Sequence, residues 1–305
     1  MTQNAIPIGG STMRPAADAP NGGRPMLARR SAAGWILSAG LAAWLAAGCG
    51  GPWVRADEVA AAAGFAGTTL RGAPFDHVAY SVDGGGVPAP VWVYLEGDGV
   101  PWLNETIPAE DPTPRILVAL GMMAEGPRPA IYLGRPCYFG VRRSAGCEPI
   151  WWTHRRFSPE VVGSMVAALH RLIDERGWAG RRLNLVGFSG GGTLAALMAP
   201  RLDTLCALVT LASPLDVDEW SASRGFSPLA GENPALLPPL PPAVRQLHLR
   251  GQNDRIVAPD NGGAFRRRNP AAAFRLIDVE HGGGWVEIWR GLVHAKADAA
   301  IAGCL

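Results

Sequence analysis

The sequence predicts an α/β fold with a mostly parallel central sheet, and two observations carry that prediction. Short apolar runs of strand length alternate with helix-forming segments from about residue 75 to the C-terminus, the order that lays parallel strands beneath crossover helices. One of these units, RLNLVGFSGGGTLAALMA at 182–199, passes from strand to helix through a turn made almost wholly of glycine.

In chain order, strands are expected near 75–81, at 91–95 (VWVYL) and at 129–133, with a helix near 113–123 between the last two. β-branched and aromatic residues dominate VWVYL, as a pleated buried surface prefers. A helix opens at SPEVV, where Ser158 is the N-cap and Pro159 occupies the first turn. LNLVG is the next strand and TLAALMA the helix after it. Later strands fall near 205–211, 245–250 and 274–279, and an amphipathic helix closes the chain. Helices are expected on both faces of the sheet. Residues 221–242, rich in proline, form no regular element and are expected to cross the site as a small irregular cap. No internal repeat is visible, and the residues after 48 suit one domain with a sizeable core.

GFSGG at 187–191 matches GxSxG, which makes Ser189 the residue to explain. Between a strand and a helix, such a motif lifts the serine hydroxyl above the sheet, and Gly187 and Gly191 are what so tight a turn accommodates. The alternative is a serine that merely caps the helix. Partners in the order acid, then histidine, separate the two. Asp254 follows the strand VRQLHLRG, within a GxxDxxV spacing of Gly251, Asp254 and Val257, and His281 lies two residues beyond the strand at 274–279. An aspartate so placed can fix the imidazole tautomer. Asp216, after the strand at 205–211, is the alternative acid. Donors for an oxyanion are expected from the backbone N–H of Gly190 and from EGDG, residues 96–99, through Asp98 or Gly97. The side chains of Glu96 and Asp98 either brace that loop or meet a cationic part of the substrate. Trp151, Trp152, Trp285 and Trp289 are candidates to line an apolar pocket, although core packing is the commoner fate of tryptophan. The remaining histidines, His77, His154, His170, His248 and His294, read as structural. Their spacing suggests no metal site, and no cofactor is expected.

The elbow, EGDG, the SPEVV helix start and the GxxDxxVP segment together resemble a bacterial family of α/β-hydrolase lipoproteins, from about Phe75 to the last helix. The resemblance implies the α/β-hydrolase fold and a serine hydrolase site with a small-molecule acyl substrate. It implies no particular substrate, because one fold hosts many chemistries. Hydrolysis of carboxylic esters or thioesters is the leading expectation. A peptidase, an acyltransferase and a non-catalytic binding lipoprotein are the alternatives.

The N-terminal segment points to export. MLARRSAAGWILSAGLAAWLAAGC at 26–49 has two arginines, an apolar stretch and small residues before a cysteine, the layout of a signal segment. Residues 1–48 therefore read as a leader with Met26 as a second candidate start, 49–72 as a tether, and 73–305 as the hydrolase domain. Lipidation of Cys49, with a membrane anchor in the bacterial envelope and the outer membrane facing the periplasm, is the expectation, although AAGC is an imperfect lipobox. Ordinary cleavage and an uncleaved anchor are the alternatives, and Arg29 and Arg30 leave general and twin-arginine export both open.

The leader holds four arginines and one aspartate, so the net charge of +2 falls to −1 without it. That balance gives no reason to expect a nucleic-acid partner. In an oxidising compartment Cys137 and Cys147 are expected to form a disulfide. Cys206 and Cys304 either pair or, for Cys206, pack as a small hydrophobe.

Overall fold

A computed structural model describes residues 52–72, 74–85, 89–141, 144–295 and 298–304. The leader and Cys49 lie outside the described residues. Eight strands form one sheet: β1 (Ala66–Leu70), β2 (His77–Val82), β3 (Val91–Leu95), β4 (Ala130–Leu133), β5 (Leu183–Phe188), β6 (Leu205–Leu211), β7 (Arg245–Gly251) and β8 (Ala273–Ile277). Their spatial order is β1-β2-β4-β3-β5-β6-β7-β8. β2 is antiparallel to both of its neighbours, and the six strands from β4 to β8 run parallel.

Burial explains the sequence of each strand. β3, β5 and β6 are buried along their whole length and are almost wholly apolar, as central parallel strands covered on both faces must be. β1 and β8 form the edges and carry exposed residues.

The helices are α1 (Pro52–Ala62), α2 (Val118–Glu125), α3 (Pro159–Glu175), α4 (Gly190–Met198), α5 (Val217–Ser223), α6 (Gly263–Arg268) and α7 (Trp285–Ala295). Alternation along the strands assigns them to faces. Trp92 and Tyr94 of β3 both meet Trp289 of α7 edge-on. Tyr94 is in register with Tyr132 and Tyr132 with Tyr80, whose hydroxyl donates to Asp57 of α1 at 2.7 Å. α1 and α7 thus cover one face. His77, of opposite parity to Tyr80, bonds Ser164 of α3 at 2.7 Å, so α3 covers the other.

Two expectations are corrected. Residues 52–70, read as part of a tether, form α1 and edge strand β1. Ala56 and Ala60, four residues apart on one helical face, are buried with Phe65 and Leu70 in the core. The helix expected near 113–123 begins only at Val118. Pro112 and Pro114 disfavour helical backbone in the residues preceding them, and Thr113 is used instead to accept the Phe139 N–H at 2.8 Å. Ser158 does cap α3, accepting from Val161 N–H at 3.5 Å. The proline-rich stretch after α5 stays irregular apart from one short turn at Pro234–Leu236. Its backbone bonds to His154 and Phe157 on the loop before α3.

Two disulfides are present, Cys137–Cys147 and Cys206–Cys304. The second ties β6 to the C-terminal turn, and Cys206 is therefore not a free hydrophobe.

Candidate active site

Ser189 occupies the single residue between β5 and α4, with φ 51° and ψ −128°. Non-glycine residues rarely adopt a positive φ, and holding one there costs about 1–3 kcal/mol. The surroundings enforce it. A Cβ on Gly187 would stand 2.4 Å from the Gly191 carbonyl oxygen, and one on Gly191 would stand 2.3 Å from that of Leu95. Only glycine on both sides lets β5, β3 and α4 approach this closely, and the Ser189 N–H is held by Leu211 O at 2.8 Å.

The three residues singled out at strand ends meet here. His281 Nε2 lies 3.1 Å from Ser189 Oγ, and His281 Nδ1 lies 2.8 Å from Asp254 Oδ2. The other Asp254 oxygen accepts the N–H groups of Ile256 and Val257, each at 2.8 Å, so the carboxylate is fixed by its own loop and its side chain is fully buried. The imidazole packs on Phe188, with centroids 5.4 Å apart, and its backbone oxygen accepts from Trp285 Nε1 at 2.8 Å. The alternative acid, Asp216, is elsewhere. It caps α5, accepting from Glu219 N–H, and it accepts from Asn233 Nδ2 at 2.8 Å. It makes no contact with His281.

EGDG sits directly over the elbow, where a Cβ on Gly97 would lie 3.3 Å from the Ser189 Cβ. Among the described residues the N–H groups of Gly190 and Asp98 donate to nothing, whereas Gly97 N–H is taken by Glu96 Oε1 at 3.3 Å. Gly190 and Asp98 are therefore the available pair of donors.

Both acids of the motif brace the loop. Glu96 is buried, and its Oε2 accepts from Ala119 N–H at 3.0 Å, in the first turn of α2, and from the Tyr132 hydroxyl at 3.4 Å. Burial pushes its carboxyl up to about 7 against the pull of those hydrogen bonds. Asp98 is gripped by two guanidinium groups, Arg135 on Oδ1 and Arg156 on Oδ2, the latter at 2.8 Å. Burial alone would raise this carboxyl, but the two arginines outweigh it and hold it below the usual range. The Tyr138 hydroxyl donates to the Asp98 carbonyl at 2.9 Å. The sequence reading missed both arginines. One signal was available: Arg135 stands two residues beyond the end of parallel strand β4, where ligands bind in sheets of this kind.

Of the four candidate pocket tryptophans, Trp152, Trp285 and Trp289 are buried in the core, Trp285 against the His281 carbonyl, and Trp151 meets Phe75 edge-on. His77 and His248 are structural, as expected. Burial lowers them to about 4 and about 3. Among the described residues no cluster of three or more histidine, cysteine or acidic side chains is arranged for a metal. A groove of about 490 Å³ runs along the β1–β2 edge, lined by Asp57, Thr68, Tyr80 and Phe139 among others. Its lining includes no serine or histidine.

No protein-family model and no curated protein sequence matches the chain. Solved structures do match. A putative α/β hydrolase of unknown function from Agrobacterium tumefaciens superposes with a TM-score of 0.52 at 12% identity, covering 78% of this chain and 97% of that one. The chain has the α/β-hydrolase fold. An esterase from Pyrococcus furiosus aligns with a TM-score of 0.50 at 14% identity, covering 77% and 88% of the two chains. For an acylaminoacyl peptidase from Pyrococcus horikoshii the TM-score is 0.51 at 13% identity, and this α/β-hydrolase fold covers 74% of the present chain but 39% of the peptidase.

Proposed function

We propose that this protein is a serine hydrolase that cleaves carboxylic esters or thioesters through an acyl-enzyme, with Ser189, His281 and Asp254 as its triad. The observation that carries this reading is the unbroken chain of contacts from Ser189 Oγ through both imidazole nitrogens to Asp254, at 3.1 and 2.8 Å. Ser189 attacks the carbonyl carbon while its proton passes to His281 Nε2. Asp254 accepts from Nδ1–H, which fixes the tautomer and stabilises the imidazolium. Negative charge then develops on the carbonyl oxygen, where the Gly190 and Asp98 N–H groups stand as donors. One such donor is worth about 3–4 kcal/mol of transition-state stabilisation. Collapse expels the alcohol or thiol, which takes the proton from Nε2, and water repeats the sequence to release the acid.

Treating the purified full-length chain with a fluorophosphonate probe and mapping the adduct by mass spectrometry tests this. Labelling confined to Ser189, lost in Ser189→Ala and in His281→Ala, is the expected result. Absence of labelling in folded protein overturns it in favour of a non-catalytic binding protein. One fold neighbour is named a peptidase, which supports amide cleavage as a second reading. Product analysis with hydroxylamine as a competing acceptor separates hydrolysis from transfer.

We further propose that the protein works in an oxidising envelope compartment, anchored by lipid on Cys49. The two disulfides support the compartment. Among the described residues no helix is long and apolar enough to cross a membrane. Incorporation of labelled palmitate that is lost in Cys49→Ala tests the anchor.

A further inference from the structure

The Asp98 cluster carries more positive charge than bracing requires. Arg135 and Arg156 share one carboxylate, and their side chains are only 2% and 7% exposed. Their remaining bonds go to neutral groups, Arg135 Nη2 to Arg156 O at 3.2 Å and Arg156 Nε to Thr153 O at 2.9 Å. Nη2 of Arg156 has no partner among the described residues. Of the acids on the adjoining segments, Glu160 pairs with Arg155, Glu232 with Arg201, and Glu96 bonds Ala119 and Tyr132, while Asp111 lies near Tyr138 and accepts from Thr113 N–H at 3.0 Å. Asp98 and its two arginines thus carry one net positive charge between them in a nearly dry place, where an anion would gain a charge-assisted partner.

That charge stands beside the nucleophile. A Cβ on Gly190 would fall 1.8 Å from Asp98 Oδ1, so the carboxylate that both arginines grip touches the residue following Ser189. The contacts also close into a ring. Arg156 lies over Trp220 at 5.8 Å, Trp220 Nε1 donates to Ile256 O at 2.9 Å, and Ile256 N–H donates to Asp254. Asp254 leads back through His281 to Ser189. Phe226, which packs on Trp220 at 5.5 Å, and Ile256 are 50% and 43% exposed and give this ring an apolar rim.

Building on the serine hydrolase reading, we propose that the substrate carries an anionic group, a carboxylate or a phosphate, which docks on Arg156 while its apolar body lies against Trp220, Phe226 and Ile256. Charge-assisted bonding to a guanidinium is geometrically specific for either oxyanion. Arg156 and Trp220 then select the substrate, and Ser189 and His281 transform it.

The test is calorimetric titration of the full-length Ser189→Ala protein, which reads binding whether or not the wild type turns anything over. Three ligands are compared: monomethyl glutarate, 2-acetoxyethyl phosphate and neutral dimethyl glutarate. At least one anionic ligand should bind ten-fold or more tighter than the neutral one, and which of the two does so distinguishes carboxylate from phosphate. Adding Arg156→Gln should erase the preference, and Arg156→Lys should keep part of it. Asp98→Asn removes the competing carboxylate and should tighten anion binding, the opposite of what loss of a mere brace would do. Equal affinity for charged and neutral ligands, no binding of any, or indifference to Arg156→Gln in a folded protein overturns the proposal. Should Arg156→Gln fail to fold, Arg156→Lys and Asp98→Asn decide. Failure of the hydrolase reading is seen separately, as absence of fluorophosphonate labelling of the wild type.

Discussion

Asp254 and Asp98 flank Ser189 and are built differently. Each carboxylate has both oxygens committed, Asp254 to two backbone N–H groups and an imidazole, Asp98 to two guanidinium groups. The imidazole can take and return a proton at neutral pH, and a guanidinium cannot. The first aspartate therefore suits orienting a proton carrier, and the side chain of the second can only hold a loop and concentrate charge. Residue type alone does not assign these roles. The partner does.

The largest effect is expected on the Asp254 side. Asp254→Asn keeps the size and both backbone contacts but turns the imidazole towards the wrong tautomer, and a fall in kcat of about 10⁴ is expected. Steady-state hydrolysis of p-nitrophenyl butyrate measures it, with a thermal melt to show that folding is retained. A loss below ten-fold would mean that Asp254 does not orient His281 for catalysis.

On the other side the largest effect should come from Gly190→Ala, because the new methyl has no room. It would stand 1.8 Å from Asp98 Oδ1, so the elbow or the EGDG loop must shift and carry an oxyanion donor with it. A drop in kcat of about 10²–10³ with little change in KM is expected, the size of one lost donor. Unchanged kcat would remove Asp98 from the oxyanion site.

Arg135→Met probes stability more than rate. It removes the hydrogen bonds of Arg135 to Asp98 and to the Arg156 carbonyl but also the second of two cations on one carboxylate, and a net loss of about 1–2 kcal/mol is expected. Urea unfolding reads it. Combined with Asp98→Asn, the two changes should be clearly sub-additive, since they remove the same interaction.

The contrast also explains what could be read from the sequence. Ser189 was legible because a tight elbow demands glycine at 187 and 191, and because Asp254 and His281 each follow an apolar run that folds as a strand. The central strands β3 and β6 were legible to the residue, since burial on both faces leaves an unbroken apolar run. Arg135 and Arg156 left no such trace. They reach Asp98 across 37 and 58 residues, and an ion pair closed by tertiary packing has no period along the chain. α1 was hidden for another reason. Its buried stripe is made of Ala56 and Ala60, and alanines in an Ala-rich segment read equally well as a tether. Trp220, buried behind Phe226, sits in a seven-residue helix too short for its face to show in the pattern.

A third acid, Glu96, lies under the same loop and bonds backbone N–H groups and a tyrosine hydroxyl in place of a cation. Burial raises its folded carboxyl to about 7 from 4.5, so its contribution to stability is fully present below pH 4.5 and is lost as pH rises through 7. His77 and His248 run the other way. Burial lowers them to about 4 and about 3 from 6.5, so their contribution is present above pH 6.5 and is lost as pH falls through those values. Between pH 4.5 and 6.5 the unfolded chain has one proton fewer at Glu96 and one more at each histidine. Each proton of difference changes stability by about 1.4 kcal/mol per pH unit. Two histidines against one glutamate leave a net rise of about 1.4 kcal/mol per unit, with all other groups held equal. In Glu96→Gln the opposing contribution is gone, and the slope over that window should double to about 2.7 kcal/mol per unit. Urea denaturation at half-unit steps of pH measures both slopes. Equal slopes would mean that Glu96 is charged throughout, and hence that the loop beside Ser189 holds two ionised carboxylates instead of one.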